Sequence, residues 1–181
     1  MSNPAAKSAV CLGFLTIVES TELGLAGGYL LLNASGRPLE FHCTAPVKPT
    51  RTQEILYGPT LKSYLCGEQI GQTLLAKSKL SPIVVCTDCD AVLAAREFTD
   101  IPLVLVLDSA SHSGSDVCDS ALAAAFPLAK CRVVTAARCA ADQQTIHDAW
   151  PAQADHLDLR EPFTRIREAI DEAQRAARQA A

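Results

Sequence analysis

The strongest constraint on how this chain folds is a set of short aliphatic segments spread along its length. Residues 10–18 (VCLGFLTIV), 82–86 (PIVVC) and 101–107 (IPLVLVL) show neither a helical spacing of apolar side chains nor a strict alternation with polar ones. Segments of this kind are typical of strands that are covered on both faces. We therefore expect a sheet that is buried between other elements.

The N-terminal segment at 10–18 is followed by two further predicted strands, at 29–32 and 39–44. The turn between these two is the sequence Asn-Ala-Ser-Gly at 33–36, because Asn and Gly accept the positive φ angles that tight turns require. The loop before them closes with Gly27 and Gly28. This part of the chain therefore predicts an antiparallel meander of three strands.

The remainder alternates between helical and strand-like segments. Thr50 and Gln53 form a capping-box pattern, so a helix is expected to begin near Arg51, with a break at Gly58-Pro59. Further helices are predicted at 60–79, 90–98, 116–126 and 142–150, and strands at 82–86, 101–107 and 131–135. Aliphatic strands alternating with helices are typical of parallel, helix-covered strands. The predicted fold class is a single α/β domain with a mixed sheet.

The chain is expected to divide into a flexible N-terminus (1–8), an α/β domain (9–160) and a C-terminal amphipathic helix (161–181). Pro162 suits the first turn of that helix. Its narrow apolar stripe has two interpretations. The helix either packs on the sheet or serves as the docking surface for a protein partner or a second copy of the chain.

Composition limits the partners and the compartment. The 181 residues carry a net charge of −4 and only 5% aromatic residues, so no nucleic-acid partner is expected. No segment approaches ~20 consecutive apolar residues, so no membrane span is expected. Three of the eight cysteines, Cys11, Cys86 and Cys131, lie in or beside apolar segments, which favours buried thiols and a cytoplasmic location. The alternative is a signal peptide with Lys7 and residues 9–18, although Glu19 and Glu22 do not suit a cleavage site.

The first candidate chemical site is the CxxC sequence Cys86-Thr87-Asp88-Cys89, between a predicted strand and a predicted helix. Two thiolates at this spacing can bind one zinc ion, or a helix N-terminus can lower a thiol pKa for redox chemistry. His42 or Cys43 would complete a zinc site. The third interpretation is that both thiols are structural. No cofactor is expected, and the alternative is zinc.

The order of elements around this CxxC resembles the cytidine-deaminase-like fold, in which a Pro-Cys-x-x-Cys opens the second helix. The resemblance implies that Cys86 and Cys89 are zinc ligands. Pro82, however, is displaced from the position before the first cysteine, and the first helix begins Thr-Arg-Thr-Gln-Glu at 50–54 without a histidine.

The same order of elements resembles the RNase H-like fold, which has three antiparallel strands followed by alternating helices and strands. The resemblance implies carboxylates that converge from the first strand, the first helix and the fourth strand to hold two metal ions. Glu54, Asp88 and Asp90 could supply some of them, but the first strand contains no acidic residue before Glu19. The resemblance therefore points to an inactive relative.

Two loops are weaker candidates. The segment 108–116 contains serine, aspartate and His112 after a predicted strand, where ligand sites of α/β sheets gather, and His112 is a candidate catalytic residue. The sequence Gly-Leu-Ala-Gly-Gly at 24–28 lacks the helix that follows a phosphate-binding loop.

The last candidate is the proline-rich segment 36–61, in which His42, Lys48, Arg51 and Glu54 could bind an anion or a partner's carboxylate. Glu54 is also a candidate catalytic residue. The segment resembles uncharacterised bacterial proteins, a resemblance that implies no activity. We therefore expect a non-catalytic binding or assembly protein, the alternative being a zinc-dependent hydrolase or deaminase-like enzyme that uses Cys86 and Cys89.

Overall fold

The aliphatic segments form the centre of a seven-stranded mixed sheet with the strand order β3-β2-β1-β4-β5-β7-β6. A computed structural model of the protein describes residues 10–108 and 122–179. The strands are β1 (Cys11–Ser20), β2 (Gly24–Asn33), β3 (Pro38–Cys43), β4 (Val85–Thr87), β5 (Leu103–Val106), β6 (Phe126–Leu128) and β7 (Cys131–Val134).

The predicted antiparallel meander is confirmed, since β1 pairs antiparallel with β2 and β2 pairs antiparallel with β3. The parallel strands follow, because β4 runs parallel to both β1 and β5. The predicted fold class, a mixed α/β sheet that begins with a meander, is therefore confirmed. The glycine-rich segment expected to be a loop instead forms the first half of β2.

The far end of the sheet differs from the expected parallel arrangement. β7 pairs antiparallel with both β5 and β6. The two-residue turn between β6 and β7 contains Ala129 at a φ of 49°, so the chain reverses within a hairpin rather than crossing over through a helix. Phe126 and Leu128 are buried on either side of an exposed Pro127, a two-residue alternation that suits an edge strand.

The helix predicted at 116–126 is thus wrong at its C-terminal end, because β6 begins at Phe126 and Leu122 forms a strand bridge with Ala136. The part of that prediction from 116 to 121 lies outside the described residues. So do the loop serines of 109–115, His112 and the N-terminus up to residue 9.

The first helical region has the predicted start and break. α1 (Arg51–Tyr57) is capped by Thr50, whose side chain accepts a hydrogen bond from the Gln53 amide while the Gln53 side chain accepts from the Thr50 amide. A 3-10 turn at Gly58–Thr60 leads into α2 (Leu61–Ser63), a π-helix (Tyr64–Gln72) and α3 (Thr73–Lys77).

The segment after β4 is a 3-10 helix (Asp90–Phe98) where an α-helix was expected. Two α-helices follow the sheet, α4 (Asp142–Ala149) and α5 (Glu161–Gln179). Within residues 10–108 and 122–179, no helix is both long and apolar enough to cross a membrane.

The sheet separates two apolar cores. On one face, α5 packs on β1 and β2 through Phe163, Ile166 and Ile170, with Phe163 edge-on to Phe14. On the other face, the π-helix and the 3-10 helix pack against the second set of buried residues, which includes Leu15, Tyr29, Leu31, Cys66, Ile70, Leu74, Val85 and Val92. The predicted burial of the central strands on both faces is confirmed.

Two consecutive glycines in β2 permit this double packing. A Cβ atom on Gly27 would overlap Ile70 and lie 2.9 Å from the Leu74 Cδ1 atom. A Cβ atom on Gly28, which faces the other way, would overlap Ile166. Both helical layers therefore sit closer to β2 than a strand with ordinary side chains would allow.

The Gly28→Ala substitution is expected to lower the free energy of unfolding by about 1–3 kcal/mol, because the new methyl group would overpack against Ile166. Chemical denaturation measures the change. In the double variant with Ile166→Leu, which moves the branch point away from the strand, part of the loss should be recovered. An unchanged stability in the single variant would show that α5 does not depend on this close approach.

Candidate functional site

The carboxyl ends of β1 and β4 meet at one edge of the sheet, because these two strands are parallel neighbours. Thr16 lies near the end of β1, and Asp88 follows β4 directly. Arg167 reaches the same edge from α5. We refer to Thr16, Asp88 and Arg167 as the edge cluster.

Asp88 is held from two sides within the edge cluster. The buried Thr16 hydroxyl donates a hydrogen bond of 2.6 Å to Asp88 Oδ1. The Arg167 guanidinium donates to Asp88 Oδ2 and forms an ion pair with it. The Asp88 side chain is largely shielded from solvent, whereas that of Arg167 is about half exposed (21% against 46%). One carboxylate oxygen thus faces the sheet and the other faces the helix.

The alternation of the strands places these side chains. Phe14 belongs to the core under α5, so Thr16, two residues later, points to the same face. Cys86 belongs to that core too, which directs Asp88 toward α5. Arg167 follows Ile166, whose burial on the sheet fixes the rotation of the helix.

The edge cluster differs from a centre built to hold metal ions. The RNase H-like resemblance implies a carboxylate on the first strand, whereas β1 contributes a threonine to the edge cluster, and Arg167 neutralises the charge of Asp88. Glu54 forms an exposed ion pair with Arg51 at 2.9 Å, and Asp90 lies 3.9 Å from Lys62. Within the described residues, no group of three or more His, Cys, Asp and Glu side chains could hold a metal ion.

A groove of about 460 Å³ runs between the end of β1 and the distal part of α5. Its lining is rich in groups that donate hydrogen bonds. The lining residues are Val18, Glu19, Ser20, Thr21, Asp171, Gln174, Arg175 and Arg178. Because Arg167 lies one helical turn before Asp171, the groove continues the surface of the edge cluster.

Three of the four residues predicted to bind a ligand, His42, Arg51 and Glu54, have different hydrogen-bond partners. His42 donates a 3.0 Å hydrogen bond to Glu40, which also accepts bonds from the Ser78 hydroxyl and the Lys79 amide. Led by the His42 bond, these contacts lower the pKa of the Glu40 carboxyl. Arg51 and Glu54 bind each other on α1, which buries none of its residues.

The CxxC cysteines lie on opposite faces of the sheet. Cys86 is fully buried under α5, and burial raises its pKa, whereas Cys89 packs with the core of the other face. β1 and β2 lie between β4 and β3, the strand that carries His42 and Cys43. The structure therefore does not bring the four predicted zinc ligands together, and zinc binding stays a prediction for elemental analysis.

Three residues were not among the sequence-based candidates: Thr16 and Arg167 of the edge cluster, and Cys66 of the π-helix on the other face. A threonine inside an aliphatic strand and an arginine on an amphipathic helix carry no motif. One available signal was that Thr16 is the only hydrogen-bonding side chain in the segment 11–18 apart from the thiol of Cys11. No spacing rule connects Cys66 with Cys89.

Comparisons with known proteins find no matching protein family and no matching curated protein. Among solved structures, human ENDOV is 13% identical over 95% of this chain and 89% of its own, with a TM-score of 0.49. Marinitoga piezophila Argonaute in complex with 5′ OH guide RNA is 13% identical over 84% of this chain and 28% of its own, with a TM-score of 0.32.

A second structure of that Argonaute, with guide RNA and target DNA, is 12% identical over 84% of this chain and 27% of its own, with a TM-score of 0.30.

The prediction that nucleic acid is not a partner is contradicted by these comparisons, because two of the three structures contain bound RNA. The net charge of −4 is a sum over the whole chain. It does not describe local groups such as Arg175 and Arg178, which line a single groove.

The Thr16→Val substitution is expected to lower the free energy of unfolding by about 1.5–3 kcal/mol, because Asp88 would lose a hydrogen bond to a charged group in a largely buried setting. The matched control is Thr135→Val. Thr135 is equally buried, and its hydroxyl has no hydrogen-bond partner among the described residues, so this change should be neutral or stabilising. Equal effects of the two variants in urea denaturation would contradict the assigned bond.

Proposed function

We propose that this protein binds a nucleic-acid strand along the groove beside α5 and does not cleave it. The observation that carries the proposal is the pairing of Asp88 with a hydroxyl and a guanidinium at the carboxyl edge of β1 and β4. Ligand sites in α/β sheets gather at this edge.

The absence of cleavage follows from the charges of the edge cluster. Hydrolysis of a phosphodiester by two metal ions needs several carboxylates that hold cations about 3.5–4 Å apart. Asp88 is one carboxylate, and its negative charge is already compensated by Arg167. A divalent cation placed at Asp88 would meet the positive charge of that guanidinium at close range, which is unfavourable.

The groove supplies the groups that recognise a phosphate backbone. Phosphate and sugar contacts in nucleic-acid complexes come from arginine, hydroxyl and amide side chains. Ser20 and Thr21 provide hydroxyls on the strand side, and Gln174, Arg175 and Arg178 provide an amide and two guanidiniums on the helix side. A single strand could therefore be contacted from both walls.

The row of donors extends beyond the groove. Arg167, Gln174 and Arg178 are spaced by seven and four residues, so they lie along one side of α5. This row leads from the edge cluster to the distal end of the helix. A backbone that followed it would pass the exposed half of Arg167.

Two acidic residues, Glu19 and Asp171, line the same groove and balance the charge of the two arginines. We therefore expect weak, salt-dependent binding with a dissociation constant of roughly 10⁻⁴–10⁻⁶ M near physiological salt. The binding is expected to show little sequence preference, because backbone contacts carry no sequence information directly.

The double substitution Arg175→Gln/Arg178→Gln is expected to weaken binding of fluorescein-labelled single-stranded RNA and DNA by about tenfold or more, because two charge-assisted contacts are lost. Fluorescence anisotropy at two salt concentrations measures the affinity and its salt dependence. The variant should also show the shallower dependence on salt.

The matched control is Arg37→Gln/Lys79→Gln, which removes the same charge at the opposite edge of the sheet. Arg37 lies in the β2–β3 turn, and Lys79 contacts Glu40 on β3. Equal losses in the two double variants would contradict the groove. Shortened oligonucleotides on a denaturing gel after incubation with Mg²⁺ or Mn²⁺ would contradict the absence of cleavage.

A further inference from the structure

Two cysteines that are distant in the sequence meet on the face of the sheet opposite the edge cluster. Cys66 lies in the π-helix and is fully buried, while Cys89 lies between β4 and the 3-10 helix and is partly exposed. Both cysteines belong to the apolar core on that face, and their side chains interact. Two of the seven free cysteines in the described residues thus form a pair of a buried and an accessible sulfur.

The contact depends on an unusually close approach of two helical segments. A Cβ atom on Gly67 would lie 2.7 Å from the Ala94 Cβ atom and 3.0 Å from the Ala95 amide nitrogen. A Cβ atom on Gly71 would lie 3.1 Å from the Ala95 Cβ atom. Glycine at both positions therefore lets the π-helix lie directly against the 3-10 helix, next to Cys89. Single π-helical turns are frequent at functional sites.

The backbone around Cys89 is fixed by Thr87. The Cys89 amide donates a 3.2 Å hydrogen bond to the Thr87 hydroxyl, and that hydroxyl donates to the Cys89 carbonyl oxygen. Thr87 itself is buried at the end of β4. The Cys89 sulfur is thus held at the N-terminus of the 3-10 helix by a rigid strand end.

Local groups stabilise a thiolate at Cys89. The largest effect is the hydrogen bond from Cys66, and the Ala91 amide and the Lys62 ammonium add to it against burial and the Asp90 carboxylate. Together they lower the pKa of Cys89 to about 7, so the thiolate is well populated at neutral pH. The same hydrogen bond raises the pKa of Cys66, which stays a thiol.

Cys89 is partly exposed, and a cavity lies close to it in the chain. A cavity of about 350 Å³ is lined by Lys62, Asp90 and Ala91, and Ala91 lies two residues after Cys89. Its other lining residues are Pro59, Ser63, Leu93, Ala94, Leu122, Ala136 and Arg138. Accessible thiolates beside a second cysteine have the arrangement of redox-sensing sites.

We infer that Cys89 and Cys66 form a redox site that reacts with small hydroperoxides and closes to a reversible disulfide. The Cys89 thiolate attacks the terminal peroxide oxygen, so that the S–O bond forms, the O–O bond breaks and the alkoxide or hydroxide takes a proton from water. The Cys66 sulfur then attacks the Cys89 sulfenic acid. The S–S bond forms, the S–O bond breaks, and the hydroxyl leaves as water with the Cys66 proton. A dithiol reductant returns both thiols.

The test treats the reduced full-length protein with one equivalent of hydrogen peroxide, followed by alkylation, proteolysis and peptide mass spectrometry. The expected main product is an intramolecular Cys66–Cys89 cross-link with the loss of two hydrogens, which dithiothreitol reverses. The Cys66→Ala variant should instead leave a sulfenic acid at Cys89 that a dimedone probe traps. Cys131→Ala, which removes another buried thiol, should leave the cross-link unchanged.

The pH dependence of alkylation is an independent readout. The iodoacetamide reaction of Cys89 is expected to reach half its maximal rate near pH 7 and to rise with pH, because the thiolate is the nucleophile. Glutathione in the same buffers provides a reference whose thiol titrates higher. In Cys66→Ala, the half-maximal pH should rise toward that reference because the hydrogen bond is lost.

Three results would overturn the inference. They are preferential oxidation of the exposed Cys43 or of Cys139, a half-maximal pH for Cys89 at or above that of glutathione, and an intermolecular rather than an intramolecular disulfide. If Cys66→Ala does not fold, Cys89→Ala takes its place. That variant must leave Cys66 unmodified by peroxide.

Discussion

The close approach of two helical layers to one strand is the constraint on which the rest of the molecule depends. Gly27 and Gly28 leave no side chain on either face of β2 at the level where Ile70 and Ile166 press against it. On one face this fixes the distance of α5 from the sheet, and hence the reach of Arg167 to Asp88. On the other face it fixes the π-helix that carries Cys66. The absence of a Cβ atom at each of these two glycines thus determines both arrangements.

The edge formed by β1 and β4 carries different chemistry on its two faces. Successive residues of a strand point in opposite directions, so Asp88 turns toward α5 and Cys89 turns toward the π-helix. Asp88 of the edge cluster and Cys89 of the sulfur pair are therefore consecutive in sequence, but their side chains lie on opposite faces of the sheet.

Much of the fold could be predicted from local patterns. The aliphatic segments indicated central strands, Asn33–Gly36 indicated a turn, and Thr50 with Gln53 indicated the start of α1, because each signal depends on neighbouring residues alone. The antiparallel direction of β7 could not be predicted in this way, because it depends on the path by which the chain returns to pair with β5. The π-helical and 3-10 geometries follow from packing against the sheet, which no local spacing encodes.

The candidate sites were harder to predict for the same reason. The CxxC suggested a joint role for Cys86 and Cys89, yet a three-residue offset across a strand end sends their side chains to opposite faces. The partners that the structure assigns, Cys66 to Cys89 and Arg167 to Asp88, are 23 and 79 residues away in sequence. Only the tertiary fold relates residues at such separations, and a single sequence carries no record of it.

The anchoring of α5 gives the groove beside it two unlike walls. The buried contacts of this helix, Pro162, Phe163, Ile166 and Ile170, all lie in its first half, and the residues from 171 to 179 have none. The wall formed by β1 belongs to the centre of the sheet, whereas a helix end without buried contacts frays at little cost in free energy. A molecule that binds between the two walls must therefore order the end of α5. The conformational entropy lost in that ordering offsets part of the binding free energy.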